Sequence, residues 1–159
     1  MAALTTSNAI SWVRHPFIVF VAHVIIPTLL GATIYTCWRS TTLLVFRWYD
    51  IAGLTGMVHS IRNVVPSAHA LPCWFRFSLP DALWVYSFTA TMCYIWADRD
   101  GVWKRVWTGA VVLLGVGGEV GQAVGVVPGT FDFVDLVLCV LAGLAAAFAT
   151  PRSLRRACA

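Results

Sequence analysis

An uninterrupted apolar stretch, residues 16–38, constrains this chain more than any other feature of its sequence. It reads PFIVFVAHVIIPTLLGATIYTCW and contains no Asp, Glu, Lys or Arg. A helix needs about 20 apolar residues to cross the hydrocarbon core of a bilayer, whereas the apolar part of a cleaved signal peptide has about 7–15. The stretch therefore predicts a retained transmembrane helix, with Pro27 as a kink.

Three further stretches favour the same interpretation, namely residues 79–97, 106–126 and 131–149. The first of these opens with the helix-start pattern Ser-Leu-Pro-Asp, and the sequence VPGT predicts a tight turn between the other two. Only 11% of the residues are charged, against about 25% in a typical soluble domain. We therefore predict an all-α fold, a single helical-bundle domain over residues 1–159 that crosses the membrane four times.

Residues 41–62 are apolar overall but hold Arg47, Asp50 and His59. These charges favour a helix that lies in the membrane interface or re-enters the bundle. A fifth span is the alternative, in which Arg47 and Asp50 neutralise each other at positions i and i+3 of one helix.

The distribution of Lys and Arg predicts the orientation, because cytoplasmic loops are enriched in both. In the four-span topology one side holds seven of them and the other four, and in the five-span topology the same C-terminal side holds seven against three. We therefore predict a multi-pass protein of the cytoplasmic membrane whose C-terminus faces the cytoplasm. The basic residues are spread along the chain, so the sequence predicts no nucleic-acid partner.

Polar side chains cluster in the last predicted hairpin, GEVGQAVGVVPGTFDFVD (118–135), which holds three of the seven acidic residues. Glu119 and Gln122 are three residues apart and share a helix face, as do Asp132 and Asp135. With a rise of 1.5 Å per residue, Gln122 and Asp135 lie roughly 5 Å below the turn and Glu119 roughly 10 Å below it. The hairpin therefore predicts a polar pocket that opens to the exterior.

Three residues outside the hairpin belong to the same predicted pocket: Asp81, at the start of the second span, and Arg62 and Arg76, in the adjoining loop. An acid at mid-helix costs on the order of 2.5–3.5 kcal/mol on insertion scales and usually faces the bundle interior. Glu119 has no Lys or Arg within four residues on its own helix. This isolation favours a functional role, the alternative being a protonated carboxyl that shares a hydrogen bond with Gln122.

Helix capping is the structural alternative for the three aspartates of the pocket. Asp81 completes a capping box with Ser78, Asp132 has the position of an N-cap, and Asp135 that of the third helical residue. The small residues predict faces of close helix packing. One such face is Gly117, Gly121 and Gly125, and the other, on the last span, is Asp135, Cys139, Ala142, Gly143 and Ala146.

The stretch GEVGQAVGVVPGTFDFVDLVLCVLAG (118–143) resembles the VanZ-like membrane proteins. The resemblance rests on Glu-x-x-Gln in one helix, a Gly-containing turn, and then an Asp followed by a helix rich in small residues. It implies a bacterial envelope membrane protein with a link to teicoplanin-type glycopeptide resistance.

Three functions remain open from these residues. The first is binding of a membrane lipid or lipid-linked envelope precursor by Glu119, Gln122 and Asp135. The second is an enzyme that acts on such a lipid with Glu119 as acid and base. The third is an accessory subunit, and a homo-oligomer or a larger membrane partner is left open. The chain has no CxxC or metal-type Cys/His spacing, so we predict neither a metal nor another cofactor.

Overall fold

The computed structural model describes residues 16–67, 71–99, 101–127 and 129–157. These ranges contain helices and no strand, which confirms the predicted all-α class. The six helices are α1 (Pro16–Trp38), α2 (Leu44–Ile51), α3 (Thr55–Val64), α4 (Cys73–Ile95), α5 (Val102–Ala123) and α6 (Phe133–Ala157).

Three of these helices, α1, α5 and α6, are long and apolar enough to cross a membrane, as expected for a membrane protein. Helix α4 has 23 residues, so its length of about 35 Å would also suffice. Its composition is more polar, however, and includes Arg76 and Asp81. A crossing by α4 is therefore part of the proposal made below.

Helix α4 lies at the centre of the bundle and packs most extensively against α6, then against α1 and α5. Its buried side chains are mostly small or hydroxylated, and among them are Ser78, Ala82, Ser87, Thr89, Ala90 and Cys93. Small side chains let neighbouring helices approach closely. Because these helices surround α4, it carries more polar residues than a helix that faces lipid would tolerate.

The predicted start of this helix was wrong by six residues, since α4 begins at Cys73 with Pro72 as its N-cap. Ser78 and Asp81 therefore lie in the helix interior, and the capping box predicted for them does not form. Pro80 is also internal, and it removes one backbone hydrogen bond from the helix. The close packing of α1 on this part of α4 explains how the interruption is accommodated, as is common for prolines in membrane helices.

Residues 41–62 form most of two short helices, α2 and α3, rather than one long helix. The break contains Gly53, whose φ of 70° is left-handed and favours glycine. With eight and ten residues, the helices extend about 12 and 15 Å and are each too short to cross a core of about 30 Å. Both expose apolar side chains, namely Leu44, Trp48, Ile51, Met57, Ile61 and Val64.

Helix α1 contains a π-helical turn at Val21–Ile25, immediately before Pro27. Proline lacks the N–H that would donate to the carbonyl four residues earlier, and its ring crowds that carbonyl. The distortion predicted at Pro27 is therefore present as a π-helical turn. The turn carries His23, whose Nδ1 lies 2.6 Å from the Tyr86 hydroxyl and whose Nε2 lies 3.1 Å from Ser153 Oγ. One histidine therefore joins α1 to α4 and α6 by hydrogen bonds.

Gly31 allows a close approach between α1 and α4. A Cβ atom at this position would lie 2.8 Å from Trp84 Nε1 and 3.2 Å from the Pro80 carbonyl oxygen. We predict that Gly31→Ala lowers the free energy of unfolding by about 1–3 kcal/mol, since overpacking forces these atoms apart. Denaturation of the purified protein in detergent measures the change.

Gly117→Ala is the matched control, because a Cβ at Gly117 meets no atom within 4 Å. This variant should be as stable as the parent protein or slightly more stable, since alanine favours the helix. Equal stability of the Gly31 and Gly117 variants would contradict the described packing of α1 on α4.

Candidate acidic cleft

Helix α5 buries a single side chain, and that side chain is its only acid. Of the 22 residues of α5, all of them described, Glu119 alone is classed as buried, with 8% of its surface exposed. Large apolar residues of the same helix are exposed, among them Trp103, Leu113, Leu114 and Val120. The helix therefore presents its apolar sides to the surroundings and its carboxyl group to the bundle, as expected for an acid in a membrane helix.

The start of α6 holds the Glu119 carboxylate in place. The backbone N–H of Asp132 lies 3.4 Å from Glu119 Oε2 and donates a hydrogen bond to it. The side chain of Asp132 caps α6, since its Oδ1 accepts a hydrogen bond of 2.8 Å from the Val134 N–H. The structure thus confirms Asp132 as an N-cap, and the cap residue also contacts the buried acid through its backbone.

The turn between α5 and α6 occupies residues 124–132 and is longer than the predicted VPGT turn. Helix α5 ends in a Schellman motif, in which Val126 N–H donates to the Gly121 carbonyl at 2.9 Å and Gly125 N–H to the Gln122 carbonyl at 3.1 Å. Gly125 has the positive φ of 74° that this motif needs. A Cβ at Gly129 would lie 2.7 Å from Gln122 Cδ, so the turn folds directly over the Gln122 amide.

The packing face of α5 differs from the predicted stripe of Gly117, Gly121 and Gly125. Gly117 faces open space, whereas a Cβ at Gly115 would lie 2.9 Å from Val85 Cγ2 and 3.8 Å from Cys139 Cβ. The reason is geometric: Gly115 lies four residues before Glu119 and shares its face, while Gly117 lies two residues before it and points away.

On α6 three residues of the predicted stripe, Cys139, Gly143 and Ala146, are buried, while Asp135 and Ala142 are half-buried. Gly143 lies against α5. A Cβ at this position would lie 2.5 Å from Val112 Cγ2, so glycine here leaves room for the Val112 side chain.

Between α4, α5 and α6 lies a cleft of about 600 Å³, here named the acidic cleft. Asp81, Glu119 and Gln122 line it together with the apolar residues Trp84, Val85, Phe88, Met92, Val111 and Leu114, and with Gly115 and Cys139. A few polar groups within a mainly apolar wall are typical of small-molecule sites. The cleft thus brings together three of the predicted site residues, Asp81, Glu119 and Gln122.

Asp135 does not itself line the acidic cleft, but it lies beside two of the carboxylates that do. Its charge is close enough to those of Asp81 and Glu119 to interact with both. Asp135 Oδ1 is buried and has no hydrogen-bond partner among the described residues. A buried polar atom of this kind is uncommon in native proteins, and it marks the cluster of Asp81, Glu119 and Asp135 as a candidate binding site.

Arg39, which the sequence analysis did not assign to the pocket, pairs with Asp81. Arg39 Nη2 lies 3.7 Å from Asp81 Oδ2, and both side chains are partly exposed. The guanidinium carbon also lies 5.2 Å from the centre of the Phe77 ring. Arg39 directly follows α1, and its place beside α4 depends on the packing of two helices that are distant in sequence.

The two predicted arginines contact other groups and do not line the acidic cleft. Arg62 donates from Nη1 to the carbonyl oxygens of Thr36 and Arg39, at 2.7 and 3.0 Å, and so caps the end of α1. Arg76 lies 5.0 Å from the Phe77 ring centre and donates from Nη2 to Cys73 Sγ at 3.7 Å. Both therefore flank Arg39 instead of contacting the carboxylates.

No three His, Cys, Asp or Glu side chains in the described part of the chain are arranged to hold a metal ion. Comparison of the chain with protein-family models finds no match. No curated protein and no solved structure matches it either.

The ion pair between Arg39 and Asp81 predicts a measurable energetic coupling. In a double-mutant cycle of Arg39→Gln and Asp81→Asn, we expect a coupling energy of about 0.2–1 kcal/mol, the range for exposed pairs. Thermal or chemical unfolding of the four proteins in detergent supplies the measurement. A parallel cycle of Arg39→Gln with Asp98→Asn should show no coupling, and equal coupling in the two cycles would contradict the pairing.

Proposed function

We propose that this protein binds the headgroup of a membrane lipid or of a lipid-linked envelope precursor in the acidic cleft. The observation that supports this function best is the inward orientation of Glu119, the sole buried side chain of α5. Burial of this acid carries a cost that a purely structural helix would avoid with an apolar residue. The cleft beside it supplies space and an apolar wall for the remainder of a lipid.

The charges of the site favour a headgroup that carries both a hydrogen-bond donor and a phosphate. Carboxylates are acceptors, so Glu119 and Asp135 would accept from an ammonium group or from sugar hydroxyls. A phosphate at the edge of the acidic cleft would meet Arg39, which pairs with the cleft residue Asp81. Guanidinium groups bind phosphate through paired, charge-assisted hydrogen bonds.

For the membrane topology we propose four spans, formed by α1, α4, α5 and α6, with α2 and α3 lying on the outer surface. The amphipathic character of α2 and α3 supports an interfacial position, and the enclosure of α4 by the other helices supports its crossing. The C-terminus would face the cytoplasm, as the Lys and Arg distribution predicts. The VanZ-like resemblance of residues 118–143 would be consistent with a location in the cytoplasmic membrane of a bacterium.

Two conservative substitutions test the binding function. We predict that Glu119→Gln and Asp135→Asn each weaken headgroup binding at least about tenfold, since a hydrogen bond to a charged group contributes about 1.5–3 kcal/mol. The probes are phosphatidylethanolamine and a polyprenyl-phosphate-linked sugar, each titrated into the purified protein in phosphatidylcholine nanodiscs. Glutamine retains a carbonyl oxygen that can accept from Asp132 N–H, so the hairpin should remain folded.

Asp98→Asn is the matched control, because Asp98 is an exposed acid that does not line the acidic cleft. It should bind both probes as the parent protein does. Unchanged binding in both Glu119→Gln and Asp135→Asn, or no binding of either probe by the parent protein, would refute the proposal.

An enzyme is the second candidate, favoured by the two carboxylates, Asp81 and Glu119, on one cleft. Paired carboxylates suit general acid and base catalysis. Conversion of the sugar-linked probe by the purified protein, abolished by Glu119→Gln, would support the enzyme over simple binding. An accessory role predicts instead a stable complex with a larger membrane protein that neither substitution weakens.

A further inference from the structure

A second cleft lies between the N-terminal part of α5 and the C-terminal part of α6, at the other end of the bundle from the acidic cleft. It has a volume of about 1040 Å³, at the top of the range of about 300–1,000 Å³ that is usual for small-molecule sites. Its inner wall is apolar and includes Val112, Leu113, Leu144, Ala147 and Phe148. We name it the basic cleft for the residues at its mouth.

Four of the residues that line the basic cleft are cationic: Lys104 and Arg105 of α5, and Arg152 and Arg155 of α6. Among the described residues that line it, none is acidic. Arg152 donates from Nη1 to the Phe148 carbonyl at 3.4 Å, and its guanidinium carbon lies 5.5 Å from the centre of the Phe148 ring. The four cationic side chains thus lie around the opening of an apolar groove. The Phe148 ring continues the apolar wall of this groove as far as Arg152.

The length of the groove matches one leaflet of a bilayer. Gly143 and Arg155, at its two ends, are twelve residues apart on α6, a distance of about 18 Å. Half of a hydrocarbon core is about 15 Å. Basic pockets between membrane helices on the cytoplasmic side are known to hold anionic lipid headgroups, and the Lys and Arg distribution predicts that these residues lie on that side.

We propose that the basic cleft binds an anionic phospholipid of the cytoplasmic leaflet. The phosphate would contact the guanidinium groups of Arg105, Arg152 and Arg155, and one acyl chain would lie along the apolar wall towards Gly143. The site shares no residue with the acidic cleft and does not rest on the function proposed for it. A failure of either proposal therefore leaves the other intact.

A headgroup comparison tests the cationic mouth. The purified protein is titrated with phosphatidylglycerol and with phosphatidylcholine of the same acyl chains, and bound lipid is counted by native mass spectrometry. We expect the parent protein to prefer phosphatidylglycerol, and Arg105→Gln combined with Arg155→Gln to weaken its binding about 30-fold. The matched control is Arg47→Gln with Arg99→Gln, which removes the same charge at residues that do not line the cleft.

The groove is tested separately by Gly109→Leu. A Cβ at Gly109, which lines the cleft, meets no atom within 4 Å, so the backbone leaves room for a side chain there, and a leucine would occupy part of the groove. Binding of phosphatidylglycerol should fall about tenfold. Gly117→Leu, on the same helix and equally open, should leave the binding unchanged.

Three results would overturn the proposal. They are equal affinity for the two lipids, an equal loss in the cleft and control arginine pairs, and unchanged binding in Gly109→Leu. A loss in the arginine pair without a loss in Gly109→Leu would show a surface phosphate contact and would refute the lipid groove. Circular dichroism of each variant checks that the helices are intact.

Discussion

The burial of one carboxyl group, that of Glu119, governs the arrangement of the last three helices. A bilayer disfavours an exposed acid, so α5 must turn its Glu119 face towards α4 and α6. This orientation brings Gly115 against Val85 and Cys139. At the N-terminus of α6, the backbone N–H of Asp132 then donates a hydrogen bond to the Glu119 carboxylate. Asp135, three residues further along α6, lies close enough for its charge to interact with that of Glu119.

The central helix α4 completes this arrangement from the other side. Because α1, α5 and α6 surround it, α4 can carry buried serines and threonines and bring Asp81 into the acidic cleft. Hydrogen bonds of His23 tie α1 to α4 and α6 near the opposite end. The bundle therefore has an acidic cleft towards one end and a basic cleft towards the other.

Local sequence patterns predicted the parts of the fold that depend on neighbouring residues. The polar hairpin, the N-cap at Asp132 and the buried small residues of α6 follow from spacing alone. The start of α4 could not be predicted from spacing, because the packing of the helix against its neighbours overrides the start signal at Ser78. Arg39 was missed because its partner is 42 residues away in sequence. The packing face of α5 was predictable, since an inward Glu119 requires an inward Gly115 rather than Gly117.

The most direct test of this account is a cysteine cross-link between α5 and α6. A Cβ at Gly115 would lie 3.8 Å from Cys139 Cβ, the mean separation across a disulfide, about 3.8 Å. In a protein whose other cysteines are replaced by serine, Gly115→Cys should form an intramolecular disulfide with Cys139 upon mild oxidation, whereas Gly117→Cys, on the opposite side of α5, should not. A cross-link from Gly117→Cys alone would show that α5 is rotated, that Glu119 faces the lipid and that the acidic cleft does not exist.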